Sequence, residues 1–234
     1  MIDVKTVSLF SKSADHNYCL HYNLKNDDIY VEAGAYIGRF ITKIIRKQQT
    51  EISHNTWDIE EPISIHLKKT ILIEPCTWSA DIIKQIIDND IVENGILIKK
   101  AISSTSSEKE KKETNKRKRI KKFVNWKDNY SASRLAFHDN DFPEQAEEIE
   151  LDTIDNLVSD LNLPRIDLLC GDIEGEEVNM IKGAEKSLEK GLIKNIAICS
   201  YHKEPDNHND ISNILKSYNY KDIKYDVGIT FAKL

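Results

Sequence analysis

Residues 28–45, DIYVEAGAYIGRFITKII, carry the reading that decides the fold. The first six, DIYVEA, are mostly apolar and β-prone and read as a buried strand. Gly34 and Gly38 then bracket a turn. After it, Phe40, Ile41, Ile44 and Ile45 fall on one face of a helix. Strand, glycine turn and helix in succession form the opening unit of a parallel α/β sheet.

The same rhythm continues outward. ILIE (71–74) reads as a second strand, and Ile82, Ile83, Ile86 and Ile87 take helical spacing after it. ILIKKAI (96–102) reads as a third strand and residues 147–152 as another short one. Ile154, Leu157, Val158 and Leu161 are helical. RIDLLCGD (165–172) is a strand, and residues 176–191 read as one helix stopping near Gly191. NIAICSY (195–201) is a strand, a helix follows around 208–217, and residues 220–234 hold two closing strands. This alternation predicts a largely parallel sheet with helices on both faces. Residues 1–27 read as an N-terminal extension to a domain over 28–234. Two stretches break the rhythm, at about 49–70 and 103–122, and read as insertions able to form flaps.

Composition narrows the function. Apolar residues make up 40% of 234, enough for a core, so a disordered chain is excluded. The net charge of −6 counts against a general nucleic-acid binder. No apolar run reaches the ~20 residues of a membrane span. The N-terminus lacks the basic start and long apolar stretch of a signal peptide. Cys19, Cys76, Cys170 and Cys199 are widely spaced, as reduced thiols of a cytoplasmic protein would be.

Glycine is scarce, 8 residues against the roughly 16 that an average ~7% would give, so its positions are informative. Gly34 and Gly38 sit where a strand meets a helix, the place where open parallel sheets bind ligands. A Gly-x-x-x-Gly pair also serves simple packing. Here, however, it follows an acidic residue, Glu32, whose carboxylate would repel a pyrophosphate. The dinucleotide pattern Gly-x-Gly-x-x-Gly is absent. A ligand with an ammonium group and no phosphate fits better, and S-adenosylmethionine is one. Glu74, ending the second strand, is placed to accept ribose hydroxyls, or is a solvated strand end. A second cluster, CGDIEGEE (170–177), sets Asp172, Glu174, Glu176 and Glu177 at another strand end. Glu176 and Glu177 there suit the dipole of a starting helix. Asp172 is left to face the cleft.

Several landmarks now occur in order: VEAGAYIG (31–38), ILIEP (71–75), NYSASRL (129–135), EIELDTIDNL (148–157), RIDLLCGDIEGEEVNMIKGA (165–184) and NIAICSYHK (195–203). Together they resemble the FkbM family of S-adenosylmethionine-dependent methyltransferases. The resemblance implies a class I methyltransferase (Rossmann-like) fold: a seven-stranded sheet whose last-entering strand is antiparallel. It implies methyl transfer to a hydroxyl of a sugar or another small molecule. It also implies cofactor contacts at Glu32, Gly34, Ala35, Tyr36, Gly38, Glu74, Pro75 and Ala101. The chain departs from the family pattern at four places. Glu32 replaces an Asp, Tyr36 an Asn, Cys170 a Lys and Ser200 a Glu.

A hydroxyl acceptor needs a general base. His202 and Asp172 end neighbouring strands and are the candidates, with His202 preferred because its ordinary pKa lies near neutrality. A partly exposed histidine at a strand end is the plainer reading. Asp172, Glu174 and His202 could instead hold a divalent cation that orients a diol. Glu174 could equally be a cap. Ser131 and Ser133 fall in a family landmark and would line the substrate side. His54, Trp57 and His66 lie in the first insertion. The basic run 116–122 suggests either a solvated flap or, in an RNA-directed enzyme, an arm. A cofactor-binding relative without turnover is the remaining alternative.

Overall fold

A computed structural model describes residues 17–46, 65–105, 121–124, 134–135, 146–202 and 207–234. The elements run β1 (Ile29–Ala33), α1 (Arg39–Arg46), β2 (Lys69–Ile73), α2 (Thr77–Asp88), β3 (Gly95–Ile98), β4 (Ala101–Ile102), β5 (Lys121–Val124), β6 (Arg134–Leu135), β7 (Ala146–Ile149) and β8 (Leu151–Asp152). They continue α3 (Ile154–Asp160), β9 (Ile166–Gly171), α4 (Glu177–Lys182), α5 (Glu185–Glu189), β10 (Ile193–Cys199), α6 (Asn207–Ser217), β11 (Lys221–Asp226) and β12 (Ile229–Lys233).

Seven strands form the main sheet in the order β11-β12-β10-β9-β1-β2-β3. All pairings among β10, β9, β1, β2 and β3 are parallel. The last strand, β12, enters between β10 and β11 and runs antiparallel to both. This is the class I methyltransferase arrangement expected from the sequence. The β11–β12 reversal is made by two residues, Val227 (φ 44°) and Gly228 (φ 81°), both left-handed as a tight I′ hairpin turn demands.

Strand alternation produces the two cores. Val31, Ile71, Leu169, Ile196 and Ile198 point to one face, packed by Ile154, Leu157, Met180, Ile181, Ile211 and Leu215 of α3, α4 and α6. Tyr30, Leu72, Leu168, Cys170, Ala197 and Cys199 point to the other. That second face is covered by Ile41 and Ile44 of α1, by Ile82, Ile83 and Ile86 of α2, and by Tyr18, Cys19 and Leu24 ahead of β1. At ~25 cal/mol per Å² of apolar area, two such faces supply the main stabilising term. The end of the first insertion belongs to the sheet: Lys69 and Thr70 pair with Ile29 and Tyr30 of β1.

Three expected elements are broken. Residues 96–102 are two strands, because β4 leaves β3 to pair with β8. Residues 147–152 divide likewise: β7 joins a three-stranded sheet with β5 and β6, while β8 joins β4. Residues 176–191 form two helices. The Asp155 carboxylate accepts the Lys186 and Ser187 amides (2.9 and 2.8 Å), and the Gly183 carbonyl accepts the Asp155 amide (3.0 Å). Those bonds start α5 afresh. Gly183 also lies tight against the chain: a Cβ there would come 2.3 Å from the Ser103 carbonyl oxygen.

Candidate active site

The carboxyl ends of β1, β2 and β9 meet at Gly34. Its φ of +77° is left-handed, and a Cβ there would lie 1.9 Å from the Asp172 carbonyl oxygen. No other residue fits that turn. The Gly34 and Ala35 amides bond to the Ile73 carbonyl (2.9 and 3.1 Å), and the Asp172 amide bonds to Ala33 (3.0 Å). The two glycine-bearing clusters of the sequence are therefore in direct contact.

Glu74 reaches into the turn. Its Oε2 accepts the Tyr36 amide and its Oε1 the Cys76 amide, both at 2.9 Å. Burial pushes its carboxyl up to about 8, against the pull of those two amides. Tyr36 is itself left-handed (φ 51°), and its ring lies 6.4 Å from that of Trp78, on α2. Ala35, Gly38 and Pro75 are buried around the same turn. Glu32 is 4% exposed and accepts the Tyr30 hydroxyl at 2.8 Å. Burial pushes it up to about 8; the Tyr30 bond opposes this, and the charges of Asp172 and Glu74 add to it. Ala101 lies in β4, packed with Cys76, Ile149 and Leu151.

On the neighbouring strand ends the structure assembles Asp172, Glu174, Glu177 and His202. The loop after β9 turns through Glu174 (φ 54°) and Gly175 (φ 100°), which folds Glu177 back over its own approach. Glu177 is 0% exposed. Its Oε1 accepts the Ile173 and Gly175 amides (3.2 and 3.1 Å) and bonds to His202 Nδ1 at 2.9 Å; its Oε2 accepts Asn207 Nδ2 at 3.1 Å. Burial pushes Glu177 up, but the His202 bond and charge and the Gly175 amide outweigh it. The net shift is downward, so the group is an anion near neutrality. An anionic Glu177 makes Nδ1 the protonated nitrogen and leaves Nε2 as the basic one. Nε2 sits 3.4 Å from Glu174 Oε2 and 3.7 Å from Asp172 Oδ1. Burial lowers the His202 pKa; the bond to Glu177 and the charges of Glu177, Asp172 and Glu174 more than reverse that, leaving it raised. Asp172 is raised to about 6 by burial, opposed by His202.

Asp172, Glu177 and His202 each offer a ligand atom within 4.8 Å of the others. Both Glu177 oxygens accept N–H donors, which makes Glu177 the hydrogen-bonding hub of the cluster. The sequence reading missed Glu177 and Asn207. Glu177 stood among three other acidic residues at a helix start, where a dipole role is the simplest account. Only its burial distinguishes it. His66 pairs with Glu93 (3.0 Å) ahead of β2, at the opposite end of the strands. His54, Trp57, Ser131 and Ser133 lie outside the described residues, as does most of the run 116–122.

Three comparisons with known proteins bear on this site. No curated protein matches the chain in sequence. A crystal structure of methyltransferase FkbM from Methylobacillus flagellatus KT is similar in fold, with a TM-score of 0.58 at 14% identity. The match covers 94% of this chain and 48% of that one, so this chain spans about half its length. The family model for the methyltransferase FkbM domain matches residues 32–221, a span that takes in Glu32, Glu74, Asp172, Glu177 and His202. With the seven-stranded sheet and its glycine turn in place, the chain belongs to the FkbM methyltransferase domain family.

Proposed function

We propose that the chain binds S-adenosylmethionine at the Gly34 turn and methylates a hydroxyl of a sugar or another small molecule, with His202 as general base. The observation that carries this reading is the Glu177–His202 pair, held at the strand end whose Asp172 backbone touches the turn. The residues fit the cofactor by charge: Glu32, Glu74 and Asp172 surround the turn with carboxyl groups, and the ligand carries a sulfonium and an ammonium.

When bound, the cofactor supplies a methyl group already activated by its sulfonium. The turn over Gly34, Ala35, Tyr36 and Gly38 lets the ligand approach the backbone, and Glu74 beside Pro75 accepts ribose hydroxyls. Aligning the acceptor in line contributes up to ~7–11 kcal/mol in favourable cases. His202 Nε2 takes the acceptor's proton, a step worth about 10²–10⁴ in rate. Glu177 holds the ring in the correct tautomer and stabilises the imidazolium that forms. Asp172 and Glu174 share the resulting charge at Nε2.

Two of the four replaced family positions are absorbed by the fold. Cys170 is fully buried in the core, and Ser200 is satisfied by Thr230 Oγ1 at 2.7 Å; neither intrudes on His202. Four buried, free cysteines favour a reducing, cytoplasmic setting. Among the described residues no helix is long and apolar enough to cross a membrane.

The test is release of S-adenosylhomocysteine with a panel of sugar and small-molecule hydroxyl acceptors, and with RNA. Turnover with a hydroxyl acceptor, undiminished by a chelator, is the expected result. Loss of turnover on chelation would favour a cation at Asp172, Glu174 and His202. Turnover on RNA alone would overturn the acceptor class.

A further inference from the structure

Glu32 is a buried carboxyl with no cation beside it among the described side chains. Tyr30 donates to it from its own strand, and Cys170 stands across from it on β9. Tyr18 and Cys19 approach from the segment ahead of β1; both are buried and neither carries positive charge. The charged groups that reach it, Asp172 and Glu74, are acids at the ends of β9 and β2. His202, at the end of β10, is turned to Glu177 and Asp172. No Lys or Arg among the described side chains is part of this surround.

An acid in such a place keeps its proton until a positive charge arrives from outside. We propose that Glu32 holds a proton in the free protein and gives it to solvent when the cationic cofactor binds, so that Glu32, set beside Cys170, makes cofactor affinity proton-linked. The inference rests on the cofactor reading above. The raised pKa of Glu32, about 8, agrees with it. The balance is simple: carboxylic acid and cation in, carboxylate–cation pair formed, one proton released to buffer. At neutral pH the linkage lowers affinity, and affinity rises as pH approaches 8. Below that range, each proton released steepens the dissociation constant by up to tenfold per pH unit.

The experiment is calorimetric titration of the full chain with S-adenosylmethionine at pH 7 in phosphate and in Tris. These buffers differ in ionisation enthalpy, so the difference in binding heat counts protons. The wild type should release about one proton or more. E32Q should release about one fewer, and C170K, which places an ammonium beside Glu32, should also release fewer. Far-UV circular dichroism establishes that each variant is folded; were E32Q not to fold, C170K and the wild type still decide. Binding with equal heat in both buffers overturns the inference alone, as does E32Q releasing as many protons as the wild type. Absence of binding in either buffer overturns the cofactor reading and this inference with it.

Discussion

In the proposed mechanism His202 and Glu177, bonded at 2.9 Å, divide the labour of one base between two side chains. Replacing His202 by Ala removes proton transfer but no part of the glycine turn. Its kcat is expected to fall about 10²–10⁴-fold, while cofactor affinity, measured by titration, stays within a few-fold. Glu177→Gln keeps the shape and removes the charge. The carboxylate favours imidazolium, so its loss lowers the His202 pKa. The acid limb of the kcat/KM–pH profile, which should lie above pH 6.5 in the wild type, should move to lower pH in this variant. Gly34→Ala places a Cβ on the Asp172 carbonyl at a left-handed φ. It should cost roughly 2–4 kcal/mol in denaturant unfolding, the range of severe core or backbone changes. That Gly34, Asp172 and His202 lie at neighbouring strand ends was legible in the sequence, because each follows an apolar run that reads as a strand. Glu177 was not, since one more acid in an acidic run says nothing about which is buried.

At the scale of elements, the sequence showed where apolar runs lie but not where they are cut. Periodicity is local, and the cuts are made by distant partners. The Asp155 side chain starts α5 from across the fold, 31 residues away in sequence. Asp155→Ala therefore should destabilise the chain by about 1–2 kcal/mol, the upper part of the range for a lost helix cap, although Asp155 belongs to α3. The β11–β12 turn holds the opposite opportunity. Val227, 64% exposed, sits at φ 44°, where a β-branched residue is strained by roughly 1–2 kcal/mol. Asn tolerates that conformation, so Val227→Asn should raise the melting temperature by a few degrees.

Over the whole molecule, the buried acids among the described residues are expected to shape the pH dependence of stability. Glu32 and Glu74 titrate near 4.5 when unfolded and near 8 when folded. Between those values the native state binds more protons than the unfolded one, so stability falls as pH rises. His202, raised above 6.5, acts in the same direction. Glu177, lowered, acts oppositely and only on the acid side of 4.5. The melting temperature is expected to decline from pH 5 to pH 9, with a shallower decline in Glu32→Gln. The largely parallel sheet was legible from the alternation, and its antiparallel last strand from the family resemblance; the strand order itself came with the structure. The clustering of buried acids was not legible, because it depends on which carboxyls the fold excludes from water.

In the proposed reading the Gly34 turn seats the cofactor with His202 facing its reactive end. A crystal structure of the chain with S-adenosylhomocysteine bound tests it most directly. The ribose hydroxyls are expected on Glu74, the amino acid portion over the Gly34 turn, and His202 still bonded to Glu177 with Nε2 toward the sulfur. A ligand seated away from that turn, or a His202 released from Glu177 and turned from the sulfur, would contradict it.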